Sequence, residues 1–175
     1  MAVELGADAI GFVLECTSPR HLEASAVNEL AKLAGPYCTT VAVYGRTSEP
    51  FPRTSAVQAV EFRSAPGRTC IQVIRLGKDA PIDAGNADAI LLDAYSPDAF
   101  GGTGEKVDWE RAVEIVRSAK KPVILAGGLN PSNIAEAIAL VRPYGVDVSS
   151  GIESAPGKKD PSMMRDFIQA VRAAG

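Results

Sequence analysis

The chain has 175 residues, enough for one substantial hydrophobic core and too few for two ordinary domains. Its formal net charge of −3 argues against a nucleic-acid-binding surface, and no apolar run is long enough to cross a bilayer. The first residues lack the basic flank and cleavage site of a secretory signal. We therefore expect a single domain over residues 1–175, located in the cytoplasm, with neither nucleic acid nor membrane as a partner.

The first part of the chain alternates between helix and strand patterns. Residues 2–5 are typical of a helix end closed by Gly6, and an apolar strand is predicted over residues 7–14. A helix with one apolar face follows, and the next strand is predicted over residues 40–44. This alternation predicts a parallel sheet with helices outside it.

Between Pro50 and Gly85 the connections are too short for normal crossover helices. Strands are predicted over residues 57–62 and 71–76, and little more than residues 63–69 lies between them. A parallel crossover usually needs about a dozen residues. We therefore expect bare loops or altered pairing in this region, with helices missing or shortened.

The later strands end in residues that are suited to chemistry. A buried strand predicted over residues 89–94 carries Asp93 near its C-terminal end. The carboxyl ends of parallel strands form the catalytic face of barrel folds, and partial burial there favours the protonated form of a carboxyl group. After the following loop, Asp108 is predicted to cap one helix, and Asp160 with Pro161 is predicted to begin the last helix.

Two turns of small residues follow consecutive strands, predicted over residues 122–126 and 146–148. Asn130 and Pro131 are predicted as the N-cap and first residue of the helix between them. Backbone N–H groups and hydroxyls at such turns can converge on a phosphate; the alternative is that the glycines only make tight turns. The candidate phosphate-binding residues are Gly127, Gly128, Ser149, Ser150 and Gly151.

Cysteine and histidine are sparse. Cys16, Cys38 and Cys70 are odd in number and show no metal-ligand spacing, so neither a disulfide framework nor a zinc site is expected. His21 is the only histidine, and a surface position is expected for it. The chemistry is therefore expected to rest on carboxylates, a thiol or backbone donors.

Three spaced motifs, LLDAYSPDAFGGTGEKVDW, ILAGGLNPSNIAEAI and GVDVSSGIESAPGKKD, resemble the phosphoribosylanthranilate isomerase family of tryptophan biosynthesis. GADAIGFV and TSPRHL resemble the family's second strand and its loop. The resemblance implies a (βα)8 TIM-barrel-like fold without metal or cofactor. It also implies the Amadori rearrangement of N-(5-phosphoribosyl)anthranilate to 1-(2-carboxyphenylamino)-1-deoxyribulose 5-phosphate, an intramolecular oxidoreduction of the aldose–ketose type.

The resemblance assigns roles to individual residues. Asp93 matches the general acid, Arg20 matches the arginine that binds the anthranilate carboxylate, and Asp147 matches a contact to the amine or carboxylate region of the substrate. The alternatives are a capping or loop-anchoring aspartate, an ordinary loop arginine and a structural hydrogen bond. The residues that match a further loop near the phosphate are Gly102, Thr103 and Gly104.

The sequence departs from the family at its beginning, since the family's first strand and the cysteine that serves as general base have no counterpart. We therefore expect a reduced α/β barrel of seven recognisable parallel strands with the first strand absent, and an unpaired edge that favours a homodimer. Cys16 is a candidate replacement base, with a bystander thiol as the alternative; Glu15 and Glu61 are further candidates. For the whole chain, the alternatives are an inactive phosphosugar-binding remnant and another phosphosugar-metabolising barrel.

Overall fold

The computed structural model describes residues 1–47, 51–62, 65–77, 82–94 and 107–175. Within these ranges the main sheet contains seven strands: β1 (Ala9–Val13), β2 (Thr39–Arg46), β3 (Ala56–Glu61), β4 (Thr69–Leu76), β5 (Ala89–Ala94), β6 (Val123–Leu125) and β7 (Gly145–Val146). The α-helices described are α1 (Ala2–Leu5), α2 (Ala24–Lys32), α3 (Trp109–Ser118), α4 (Ile134–Val141) and α5 (Pro161–Ala174). Judged by length and apolarity, none of these helices could cross a membrane.

The strands lie in sequence order, and every neighbouring pair is parallel. Their carboxyl ends therefore lie along one edge of the sheet, which we call the C-terminal rim. A short hairpin of β8 (Glu153–Ala155) and β9 (Lys158–Lys159) lies between β7 and α5 along the chain. The predicted parallel α/β sheet of seven strands is confirmed.

Both faces of the central strands are buried. On the outer face, Leu92 and Leu125 belong to a core cluster that includes residues of α3, α4 and α5, such as Phe167. On the inner face, Leu91 packs in a separate cluster with Val73. Successive residues of a strand point to opposite faces of the sheet. Because both faces are buried here, β5 is apolar along nearly its whole length.

The sheet is curled into a half-barrel whose two ends are linked although β1 and β7 do not pair among the described strands. At the C-terminal rim, Arg20 forms a salt bridge with Glu153. At the opposite rim, Nη2 of Arg172 donates a hydrogen bond of 2.9 Å to the carbonyl of Gly6. Leu5 of α1 also packs against the outer cluster. The expected edge on β1 is present, and these side chains tie it to the other end of the sheet.

Helix α4 begins later than predicted. Its N-cap is Asn133 and its first residue is Ile134, whereas Asn130 and Pro131 were expected at these positions. The reason is a local turn, in which the Asn130 side chain accepts a hydrogen bond from the Ser132 amide at 2.9 Å. The Asn133 side chain accepts in turn from the Asn130 amide at 2.9 Å. Asparagine commonly forms such turns with nearby backbone amides in place of a helical start.

The two other predicted helix caps are confirmed. The Asp108 side chain accepts from the Arg111 amide and caps α3, and the Asp160 side chain accepts from the Ser162 amide and caps α5. Between Pro50 and Gly85, the described residues form β3 and β4 and no helix.

Candidate active site

Asp93 lies at the carboxyl end of β5. Side chains alternate between the two faces of a strand, so Asp93, two residues after Leu91, lies on the same inner face of the sheet. Its Oδ1 accepts a hydrogen bond of 2.8 Å from the Ala94 amide. Burial raises the pKa of Asp93, while that hydrogen bond and the positive charge of Arg75 on the neighbouring strand partly oppose the rise. A raised pKa increases the protonated fraction that a general acid requires.

The glycine turn after β6 packs directly against Asp93. Gly127 and Gly128 have φ values of 80° and 66°, in the left-handed region that favours glycine. A Cβ atom on Gly127 would lie 2.6 Å from the Ala94 nitrogen and 3.2 Å from Oδ1 of Asp93. Any larger residue at this position would therefore push the turn away from the carboxyl group.

The second small-residue turn packs against the first. Ser150–Ile152 forms a short 3-10 helix after Ser149. A Cβ atom on Gly151 would overlap the carbonyl oxygen of Leu129, which follows the first turn. The structure thus brings together the two turns in which phosphate-binding residues were predicted.

Asp147 follows β7 at the C-terminal rim, where its backbone amide donates a hydrogen bond of 2.8 Å to the Leu125 carbonyl. Its pKa is raised to about 6, because surrounding protein atoms desolvate the carboxyl group and the Asp93 charge repels it; Lys159 and the Val148 amide oppose this rise. The residue is nevertheless exposed at the open rim, so water screens part of these interactions.

A charged cluster of Arg20, Glu153 and Lys159 lies beside Asp147 and the serine turn. Nε and Nη2 of Arg20 donate to the two carboxylate oxygens of Glu153 at 2.9 and 2.7 Å. Nζ of Lys159 donates to Oε1 of Glu153 at 2.9 Å and to the Ser149 carbonyl at 2.8 Å. Burial alone would raise the pKa of Glu153, but the hydrogen bonds and charges of Arg20 and Lys159 lower it to about 2.

The sequence did not indicate Glu153 or Lys159 as site residues. Glu153 is 133 positions away from Arg20, so no local spacing signals their contact. Lys159 stands next to Lys158, and adjacent lysines are typical of a solvated surface. The fork of Arg20, predicted to bind a substrate carboxylate, is held by Glu153 in this structure.

The three candidate bases have different surroundings. Cys16 is exposed in the loop after β1, and its Sγ lies 3.7 Å from Oε1 of Glu15. Glu15 also accepts a hydrogen bond of 3.2 Å from the Gly45 amide at the end of β2, which places it at the C-terminal rim. Glu61 is paired at 2.7 Å with Arg46, and both side chains are more than half exposed, at 55% and 64%.

The predicted loop residues Gly102, Thr103 and Gly104 lie outside the described residues. His21 lies in the loop after β1, where its ring contacts Glu23 at 3.3 Å. In the part of the chain that the structure describes, no group of three or more His, Cys, Asp or Glu side chains is arranged to hold a metal ion.

A curled parallel sheet with helices on its outer face and polar residues along its C-terminal rim defines a TIM-barrel-like α/β protein. The family model described as N-(5'-phosphoribosyl)anthranilate (PRA) isomerase matches residues 70–170. A relative of that name from Geotalea daltonii is 43% identical over 190 residues, covering 98% of this chain and 89% of the relative. The chain belongs to the phosphoribosylanthranilate isomerase family.

Solved structures agree with this assignment. Phosphoribosyl anthranilate isomerase from Thermus thermophilus superimposes with a TM-score of 0.84 at 30% identity, covering 99% of this chain and 92% of that chain. An isomerase in complex with reduced 1-(o-carboxyphenylamino)-1-deoxyribulose 5-phosphate has a TM-score of 0.78 at 26% identity, with coverages of 98% and 91%. The resemblance and the TIM-barrel-like fold expected from the sequence are confirmed.

The close approach at Gly127 yields a test with a matched control. Gly127 and Gly35 both have positive φ, 80° and 74°, but a Cβ atom on Gly35 meets nothing within 4 Å. Gly35→Ala should therefore cost only the left-handed backbone penalty, about 1 kcal/mol. Gly127→Ala should cost at least about twice as much, because overlap with Ala94 is added. Urea denaturation measures both, and equal losses would contradict the packing of this turn.

Proposed function

We propose that this chain catalyses the Amadori rearrangement of N-(5-phosphoribosyl)anthranilate to 1-(2-carboxyphenylamino)-1-deoxyribulose 5-phosphate, a step of tryptophan biosynthesis. The observation that supports this most strongly is the packing of the Asp93 carboxyl group, with its raised pKa, against the Gly127 turn. An acid is thereby held beside a candidate phosphate site. The isomerase complex described above contains a ligand with both a phosphate and a carboxyphenylamino group, which is consistent with a site of this kind.

The substrate phosphate is assigned to the two turns in contact. Their backbone amides lie at the carboxyl ends of β6 and β7, where such groups commonly bind anions. The proposed phosphate-binding residues are Gly127, Gly128, Ser149, Ser150 and Gly151. Gly102, Thr103 and Gly104, which follow β5 along the chain, remain predicted contacts.

The proposed reaction requires an acid and a base. Asp93 donates a proton to the ring oxygen as the C1′–O bond of the furanose breaks, which leaves an iminium at C1′. A base then removes the proton on C2′, and the resulting enol tautomerises to the ketone. We assign the base to Cys16, because it follows β1 at the same rim as Asp93. Asp147 is assigned to the nitrogen side of the substrate.

Arg20 is proposed to bind the anthranilate carboxylate. Glu153 occupies Nε and Nη2 of its guanidinium. A substrate carboxylate therefore binds the remaining donors of the five that arginine carries, or it displaces Glu153.

The role of Asp93 is tested by Asp93→Asn in a fluorescence assay with phosphoribosylanthranilate made in situ. Loss of a general acid typically lowers kcat by about 100-fold or more. The control is Asp166→Asn, an exposed aspartate of α5, which should retain activity. Turnover that does not depend on Asp93 would contradict its role. Binding of the product without any turnover by the unmodified chain would support the phosphosugar-binding alternative.

The assignment of Cys16 is tested separately. Cys16→Ser should lower kcat by about 100-fold or more, since a serine hydroxyl is a far weaker base than a thiolate. Cys70→Ser, which changes a half-buried thiol in β4, provides the control in the same assay. If Cys16→Ser keeps its activity while Asp93→Asn loses it, the base is another group and the role of Asp93 stands.

We also propose a cytoplasmic homodimer. Among the described strands β1 pairs only with β2, and an open strand edge favours association with a second copy. Light scattering after size-exclusion chromatography should give about twice the chain mass of 18.3 kDa. A mass equal to one chain at micromolar concentration would rule the dimer out under those conditions.

A further inference from the structure

Glu153 is a buried carboxylate that the proposed acid–base steps do not use. Only 4% of its side chain is exposed, yet it accepts two hydrogen bonds from Arg20 and one from Lys159. A buried charge persists only when it is paired and hydrogen-bonded. What distinguishes Glu153 from an ordinary ion pair is that one cationic partner, Arg20, is assigned to the carboxylate of the proposed substrate, whereas the other, Lys159, contacts the turn assigned to its phosphate.

The first partner belongs to the loop after β1. Nε and Nη2 of Arg20 donate to the carboxylate of Glu153 at 2.9 and 2.7 Å. The same loop approaches the β8–β9 hairpin through its backbone, since a Cβ atom on Gly157 would lie 3.1 Å from the Pro19 carbonyl oxygen. Glu153 therefore holds the Arg20 loop against the hairpin and determines which way the guanidinium points.

The second partner belongs to the serine turn. Nζ of Lys159 donates to Oε1 of Glu153 at 2.9 Å and to the Ser149 carbonyl at 2.8 Å, and it lies 3.4 Å from the Ser149 hydroxyl oxygen. Without Glu153, the ammonium group would lose its only salt-bridge partner among the described residues. Glu153 therefore also positions the lysine that supports the Ser149 turn.

We propose that Glu153 is a positioning residue that fixes both ends of the substrate site, the Arg20 fork for a carboxylate and the Ser149 turn for a phosphate. This inference rests on the proposed function, which assigns those two ends. Since Arg20 keeps further N–H donors, Glu153 can orient it without preventing it from binding a substrate carboxylate. The role requires the negative charge of Glu153, because a neutral amide cannot satisfy both cations.

The test compares Glu153→Gln with two variants that change one end each, Arg20→Gln and Lys159→Met. Calorimetric titration measures the affinity of each protein for anthranilate, which probes the carboxylate end, and for inorganic phosphate, which probes the other end. Glu29→Gln is the control, an exposed glutamate paired only with a lysine of its own helix. These measurements need no turnover, so they remain informative if the isomerase assay is negative.

Glu153→Gln should weaken the binding of both probes, each by on the order of tenfold, because loosening a positioning residue misplaces the groups that it holds. Arg20→Gln should weaken the binding of anthranilate alone, and Lys159→Met that of phosphate alone. In the isomerase assay, Glu153→Gln should raise KM by at least this factor, because the substrate uses both ends, and change kcat by less than about threefold. Weakening of one probe only, or of neither, would overturn the proposal. Tighter anthranilate binding would also overturn it, since Glu153 would then merely compete for Arg20.

A pH series measures how much the charge of Glu153 contributes to the stability of the folded chain. The pKa of Glu153 falls from 4.5 to about 2 on folding, so its charge stabilises the folded chain fully above pH 4.5, and this contribution is lost as the pH falls toward 2. The difference in the free energy of unfolding between the unmodified chain and Glu153→Gln should therefore shrink as the pH falls from 7 to 3.

If Glu153→Gln does not fold, Glu153→Asp provides a second variant. It keeps the charge on a shorter side chain and should show intermediate losses of affinity for both probes. A loss confined to one probe would again overturn the role.

Discussion

Parallel pairing of all seven strands is the constraint on which the rest of the site depends. It sends every carboxyl end to the same rim, so residues far apart in the sequence meet without any helix being directed at the site. Close backbone packing then sets the distances. Gly127 lies against Asp93 and Gly151 lies against Leu129, so β5, β6 and the turn after β7 are held at contact distance. Asp93 and the candidate phosphate turns are consequently positioned by main chain.

Three carboxyl groups near this rim differ in pKa because their neighbours differ. Asp93 has a raised pKa, since burial outweighs one hydrogen bond and the charge of Arg75. The pKa of Asp147 is also raised, and the negative charge of Asp93 is part of the cause. The pKa of Glu153 is lowered, because Arg20 and Lys159 reverse the effect of burial. The same chemical group is therefore suited to hold a proton at one position and a charge at another, and only the second can anchor cations.

Much of the fold could be predicted because its signals are local. Apolar strands, and the caps at Asp108 and Asp160, depend on residues a few positions apart, and both caps form as expected. Asp93 could be placed at the rim because a strand and its end are also local features. The start of α4 was predicted wrongly, since the side chain of Asn130 prefers a turn that competes with the helix. Glu153 could not be found, because its role follows from contacts between the two ends of the curled sheet.

The links across the open side of the half-barrel join residues very far apart in the chain. Arg20 and Glu153 are separated by 133 positions, and Gly6 and Arg172 by 166. Contacts of such long range require the closure of nearly the whole chain and carry a large entropic cost during folding. As the ribosome makes this protein, the contact between Arg20 and Glu153 cannot form until the hairpin of β8 and β9 has emerged. The salt bridge at this side of the candidate site is therefore among the last contacts of the molecule to form.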